Sequence, residues 1–151
     1  MMVDLLIVIL TMTTNDMKGY ILDTDTWIEY FHRRSGVGAH IIQIPKEEIF
    51  ASEVTIAELT YGAIHSQNVE KHMREPKMIQ ANFKVLPIVE DWVDDYVEIR
   101  HSLASQGLSA GDFDILIAVT ARRLNLTVVT HNIKYFGKMP GIKYVDWVEN
   151  Y

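Results

Sequence analysis

Short apolar runs punctuate the chain: "GYILD", "IFASEV", "KVLPIV", "LTVVT" and "IKYVDW". Each has the length of a strand, and most of the intervals between them carry apolar residues at helical spacing. After the first run, Trp27, Ile28, Tyr30 and Phe31 have that spacing, "RRSGVG" breaks it, and "IIQIPKEE" reads as a loop. "TIAELTYGAIHS" repeats it at Ile56, Leu59, Ala63 and Ile64, and "NVEKHMREPKMIQANF" reads as a helix interrupted near Pro76. "EDWVDDYVEIRHSLASQG" sets Trp92, Val93, Tyr96, Ile99 and Leu103 on one helical face. "LSAGDFDILIAVTARRLN" reads as a second, more buried helix, and "HNIKYFGKMPG" as a loop before the last strand. Strands alternating with helices predict an α/β domain, a three-layer α/β/α sandwich whose mainly parallel sheet is covered on both faces.

A length of 151 residues, with no repeat or linker, suits one such domain. The opening stretch stands apart. Val3 to Leu10 is apolar apart from Asp4, yet far too short to span a bilayer. It lacks the basic start and small-residue cleavage site of a secretory signal. Met17 opens "MKGYILD" just before the first strand, so residues 1–16 are expected to be an N-terminal extension and 17–151 a single domain. An extra packed helix or strand is the alternative. The chain has no cysteine, which excludes disulfides and thiolate zinc sites and is compatible with a reducing cytoplasm, the expected compartment. Its net charge of −6 is a poor basis for holding nucleic acid by broad counterion release. Phosphate chemistry would need cations supplied locally.

Carboxylates recur where apolar runs end. Asp23 follows the first strand, Glu58 falls in the first turn expected after "IFASEV", and Asp112 and Asp114 open the helix "DFDILIAVTARRL". In a parallel sheet with right-handed crossovers, strand C-termini and helix N-termini share one edge, where ligands bind. Each acid also has a structural reading. "TIAE" and "SAGD" both match a capping box, which would make Glu58 and Asp112 caps. Asp114 lies beyond the need for a cap, and Asp23 at the end of an apolar strand is costly without a partner. Several acids on one edge are better explained by a bound cation. Oxygen ligands without cysteine or clustered histidine suit Mg²⁺ or Mn²⁺.

With "ILDTD", "VTIAELTYGA", "GDFDILIAVTARRLNLTVVT" and "THNIKYFGKMPGIKYVDW" in this order and spacing, the chain resembles a PIN domain, and within that family a VapC-type toxin ribonuclease. The likeness runs from about Tyr20 to Trp147. It implies a Mg²⁺- or Mn²⁺-dependent endoribonuclease whose metal acids are Asp23, Glu58 and Asp114, with Asp112 as an outer member. Hydrolysis would leave a 5′ phosphate and a 3′ hydroxyl, and the 2′-OH would not be the nucleophile. The family often carries a fourth acid just after the "VVT" strand; here that position is Asn132. Thr130 is expected to hydrogen-bond a metal acid, and Asp25 to cap the first helix or support the site from behind. The resemblance also implies an RNA substrate, a VapB-like antitoxin partner and a homodimer.

Two other classes compete. "DTDT" resembles the loop of haloacid dehalogenase-like phosphatases, with Asp23 as nucleophile and Asp25 as general acid. However, Trp27 occupies the fifth motif position, and the later acidic pair would have to be Asp94–Asp95 or the 112/114 pair. A catalytically inactive PIN-type binding module is the other class; retention of Asp23, Glu58 and Asp114 argues against it. His65 and His72, seven apart, have the spacing of one helix face but no third ligand, and His131 reads as a loop residue beside the site. Among Arg33, Arg34, Arg122, Arg123, Lys134 and Lys138, the last two are the better phosphate contacts, because their loop follows a strand at the proposed edge. The extension reading predicts that a chain beginning at Met17 keeps the melting temperature and activity of the full chain. A large loss of stability on that truncation would place residues 1–16 in the core.

Overall fold

The computed structural model describes residues 18–32 and 36–148. Expectations for residues 1–16, and for Arg33 and Arg34, lie outside these residues. Tyr20–Leu22 forms β1, entered through Gly19. A Cβ at Gly19 would stand 2.8 Å from both Leu126 Cδ2 and Phe50 Cε2, so only glycine lets the chain enter the sheet this close to the core. There follow α1 (Thr24–His32), α2 (Val37–Gln43), β2 (Ile49–Ser52), α3 (Glu53–Ile64) and α4 (Val69–Asn82). The rest of the chain supplies β3 (Lys84–Leu86), α5 (Trp92–Ser105), α6 (Asp112–Leu124), β4 (Thr127–Val129), α7 (Ile133–Phe136) and β5 (Lys143–Val145).

The strands form one sheet in the order β3-β2-β1-β4-β5, and every pairing is parallel. Neighbouring residues in a strand face opposite sides, and here both sides are buried. Ile21, Phe50, Leu86 and Val128 pack with Ile99 and Leu103 of α5, Ile117 of α6 and Phe136 of α7. Leu22, Ile49, Ala51 and Val129 pack on the other face with Trp27, Val37, Ile41, Leu59 and Ile79 from α1 to α4. The expected three-layer α/β/α sandwich is therefore the observed one, with a wholly parallel sheet. From β1 the chain adds β2 and β3 on one side, then returns to add β4 and β5 on the other. The order reverses between β1 and β4, and the crevice at their C-terminal ends is where open α/β sheets bind ligands.

Several local expectations fail for identifiable reasons. "IIQIPKEE" is not all loop: α2 runs through Gln43, and a 3₁₀ turn covers Lys46–Glu48. The expected loop after β4 holds the single turn α7. Pro76 does not interrupt α4, which runs unbroken through it. A mid-helix proline removes one backbone hydrogen bond, but Pro76 is buried, and that packing offsets the loss. "IFASEV" stops being strand at Ser52, whose side chain accepts from Val54 N at 3.2 Å and so caps α3. On α5 the buried stripe is narrower than expected. Ile99 and Leu103 are buried, while Val93 is 54% exposed. Ile99→Ala should therefore destabilise the fold by about 2–5 kcal/mol, and Val93→Ser should change it by no more than about 0.5 kcal/mol, as chemical denaturation would show.

Candidate active site

Asp23 stands at the crevice between β1 and β4. Its N–H donates to Val129 O at 3.1 Å, extending the β1–β4 ladder one residue past the strand. Its carboxylate Oδ1 accepts from Thr26 N at 2.9 Å, and its carbonyl accepts from Trp27 N at 3.2 Å. Asp23 thus caps α1, the role expected of Asp25. Because α1 begins at Thr24, Asp25 lies inside its first turn, exposed. Thr130 Oγ1 donates to the second oxygen, Oδ2, at 2.6 Å, and Thr26 Oγ1 donates to Val129 O at 3.1 Å. Although both oxygens accept hydrogen bonds, burial holds the Asp23 carboxyl above the ordinary carboxylate range.

Glu58 comes from α3. Since Ser52 is the cap, Thr55 lies within the helix and Glu58 in its second turn, so "TIAE" does not form a capping box. Thr24 Oγ1 instead donates to Glu58 Oε1 at 2.7 Å, and the same Oγ1 lies 2.9 Å from Thr55 Oγ1. A hydroxyl has one proton. With that of Thr24 given to Glu58, Thr55 donates to Thr24, and a relay of two buried threonines orients the carboxylate. The sequence pattern offers Thr55 only as a helix cap and does not mark Thr24; the signal for a relay was their place beside the acids in "DTDT" and "VTIAE". Burial first, and then the charges of Asp25 and Asp23, raise the Glu58 carboxyl.

Asp114 sits in the first turn of α6. Burial, followed by the charges of Asp23, Glu58 and Asp25, pushes its carboxyl up to about 6, with no hydrogen bond drawing it back. These charge effects link Asp23, just past β1, with Asp25 on α1, Glu58 on α3 and Asp114 on α6. Among the described residues no three acids or histidines already form a cation-binding group. The donor set still fits a hard cation: oxygen only, desolvated, and repelling until a positive charge is added.

The neighbouring candidates divide. Thr130 Oγ1 also accepts from Asn132 N at 2.9 Å, linking Asn132 through its backbone to Asp23. Asn132 precedes α7, and its side chain makes no cap. Asp112 is exposed and caps nothing, because Gly111 holds the cap position of α6 without a side-chain bond, so "SAGD" is not a capping box either. Its Oδ1 accepts from Tyr96 Oη. Lys134 and Lys138 are exposed, on α7 and just after it, with the Lys134 ammonium 5.5 Å from the centre of the Tyr135 ring. Arg122 and Arg123 are engaged by Asp95, and Arg122 also by Glu98 at 3.0 Å, which ties α5 to α6. His65 ends α3 and His72 lies on α4, so the two do not share a helix face. His131 Nδ1 pairs with Asp146 Oδ2 at 2.8 Å. Against the phosphatase reading, Asp95 of the candidate pair Asp94–Asp95 is bound to arginines.

Comparison with known proteins agrees with this geometry. Residues 20–141 match the PIN domain. Ribonuclease VapC1 of Haemophilus influenzae strain R2866 is 31% identical over 132 residues, covering 86% of this chain and 98% of the relative. The tRNA(fMet)-specific endonuclease VapC of Shigella flexneri is 30% identical over 131 residues, 87% of this chain and 99% of its own. Among solved structures, VapBC2 from Rickettsia felis bound to a promoter DNA fragment superposes with a TM-score of 0.77 at 27% identity, over 85% of this chain and 98% of that one. DNA-bound VapBC from Salmonella typhimurium gives 0.77 at 29%, over 87% and 99%. A crevice of converging acids at the reversal of a parallel sheet, a matching family signature and relatives spanning nearly their whole length together place this chain in the PIN-domain family, beside the VapC ribonucleases.

Proposed function

We propose that this chain is a divalent-metal-dependent endoribonuclease of the VapC kind, the toxin of a toxin–antitoxin pair. The observation that carries this reading is that burial raises the Asp23, Glu58 and Asp114 carboxyls together, with Asp23 acting on Glu58 and both acting on Asp114. Perturbed acids gathered in a cleft are candidates for function. Asp23, Glu58 and Asp114 would hold Mg²⁺ or Mn²⁺. When bound, such a cation activates water and offsets charge on the scissile phosphate. The chain's own groups prepare the ligands. Thr26 and Thr130 fix Asp23, Thr55 and Thr24 fix Glu58, and Asp114 alone is unheld by a side-chain partner. Asn132 adds a neutral amide oxygen beside the same strand end, and Lys134 and Lys138 supply cations for the RNA backbone.

The VapBC structures from Rickettsia felis and Salmonella typhimurium support a VapB-like antitoxin as partner. We assign the working form as a cytoplasmic homodimer that the antitoxin holds inactive. No helix among the described residues is long and apolar enough to cross a membrane.

Stability tests the site without knowledge of the RNA. The Asp114 carboxyl titrates near 6 in the folded chain, against about 3.9 when unfolded. Its protonation therefore favours the fold, a benefit complete below about pH 4 and lost as pH rises through 6. Asp114→Asn mimics the protonated form. In EDTA it should melt with wild type near pH 4 and above it at pH 7. After discounting for solvent screening, the gain is on the order of 1 kcal/mol, or about 2–4 °C. Mn²⁺ should raise the wild-type melting temperature and leave that of the variant nearly unchanged. A variant that melts lower in EDTA and responds fully to Mn²⁺ would remove Asp114 from the site.

Activity gives the second test. The purified chain, freed of antitoxin, should cut RNA with Mg²⁺ or Mn²⁺ and stop in EDTA. A 2′-deoxy at the cleaved position should still be cut if the strand is bound. Cyclic 2′,3′-phosphate ends would exclude the proposed hydrolysis. Metal binding with no cleavage of any RNA would favour the inactive binding module.

A further inference from the structure

The turn that carries Asp114 is weakly built. Gly111, extended at φ −62° and ψ 149°, holds the cap position of α6 and offers no side chain to it. The first backbone bond that closes the helix runs from Ile115 N to Gly111 O at 3.1 Å. The N–H groups of residues 112–114 precede it and have no intrahelical acceptor. Phe113 is 41% exposed, and the first residue of α6 anchored in the core is Ile115, 1% exposed. The segment leading in contains Gly107 at φ +73°, in the left-handed region where glycine is favoured.

One tether reaches this turn from α5. Tyr96 Oη donates to Asp112 Oδ1 at 2.5 Å. Arg100 Nη1 donates to Tyr96 Oη, also at 2.5 Å, and lies 3.5 Å from Asp112 Oδ1. The Tyr96 hydroxyl has a single proton. By occupying its lone pair, Arg100 directs that proton to Asp112. The far end of the tether is firm, because the Tyr96 ring meets Trp92 edge-on at 5.6 Å and packs against the core. Arg100 and Asp112 are 64% and 65% exposed, so their ion pair adds little to global stability. Its effect is local: it holds the first turn of α6 in one place.

We propose that Tyr96 and Arg100 are positioning residues for Asp114, acting through Asp112, whose carboxylate serves as the anchor of the α6 turn and not as a metal ligand. This rests on the reading of Asp114 as a metal acid. Without the tether, the turn would sample more positions and Asp114 would be ordered only on metal binding, which weakens the metal without altering the ligands.

The test is Mn²⁺ binding in the absence of RNA, followed by the electron paramagnetic resonance signal of free Mn²⁺, with melting temperature in EDTA alongside. Tyr96→Phe keeps the ring and its packing and removes the tether. Its Mn²⁺ dissociation constant should rise roughly fivefold, the scale of one hydrogen bond, while the melting temperature in EDTA stays close to that of wild type. Asp112→Ala should show the same rise, and Tyr96→Phe combined with Asp112→Ala no more than either alone. Asp112→Asn keeps an acceptor oxygen and should bind Mn²⁺ better than Asp112→Ala. Should Tyr96→Phe fail to fold, Asp112→Ala, at an exposed position, carries the test. Wild-type affinity in Tyr96→Phe or, failing that, in Asp112→Ala overturns the proposal, as does equal weakening by Asp112→Asn and Asp112→Ala, which would make Asp112 a ligand by its charge. Wild-type chain that binds no Mn²⁺ removes the metal-site reading and this inference with it. Binding lost in Asp114→Asn but intact in Tyr96→Phe removes the tether alone.

Discussion

The hydrogen bonds on the Asp23 carboxylate join the parts of this molecule that matter for its chemistry. One oxygen starts α1 through Thr26 N, and the other receives the hydroxyl of Thr130 at the end of β4. The backbone of Asp23 meanwhile extends the pairing of the sheet's central strands. A single buried side chain thus sets where a helix begins, how two strand ends are spaced, and where negative charge sits in the crevice. Its neighbours follow from that placement. Thr24 is next in the chain and orients Glu58, and Asn132 is tied to the same Thr130 oxygen. A charge held this far from water is tolerable because donors surround it, and it remains costly enough to attract a cation.

The cluster has an asymmetry. Asp23 and Glu58 accept directed hydrogen bonds from buried threonines, while Asp114 has burial and then the charges of the other acids acting on it. On the proposed reading, two ligands would be fixed before a metal arrives, and one would be free to adjust to it. Such a division would suit a site that accepts a cation and a phosphate together, because part of the coordination could yield without disturbing the fold. It also explains why the turn beneath Asp114 matters more than its small contribution to stability suggests.

Much of this was legible in the sequence because strands buried on both faces leave continuous apolar runs, and runs that end in acids are unusual enough to mark an edge. Asp23 and Asp114 stood out by position, whereas Glu58 taken singly read as a cap and was singled out by the family resemblance. What could not be read depended on where each helix begins. Ser52 caps α3, which shifts Thr55 and Glu58 one turn deeper than the capping-box pattern suggests. The same uncertainty put the cap of α1 on Asp25, where Asp23 supplies it. Thr24 escaped notice and Thr55 read as a helix cap, because a hydroxyl relay between residues 31 apart has no local signature. Pro76 and the exposed Val93 show tertiary packing overriding local pattern in opposite senses. The tether from Tyr96 to Asp112 crosses between helices, and no spacing rule within either one predicts it.

The strand order has a consequence for synthesis on the ribosome. β1 is central in the finished sheet, but its partner β4 is among the last elements to be made, and the contact from Asp23 to Thr130 spans 107 residues. Until that stretch emerges, β1 has one open edge and Asp23 lacks the hydroxyl of Thr130. Contacts so distant in the chain form late and slowly. A chain that ends before β4 therefore lacks the assembled crevice, which closes only when the polypeptide is almost complete.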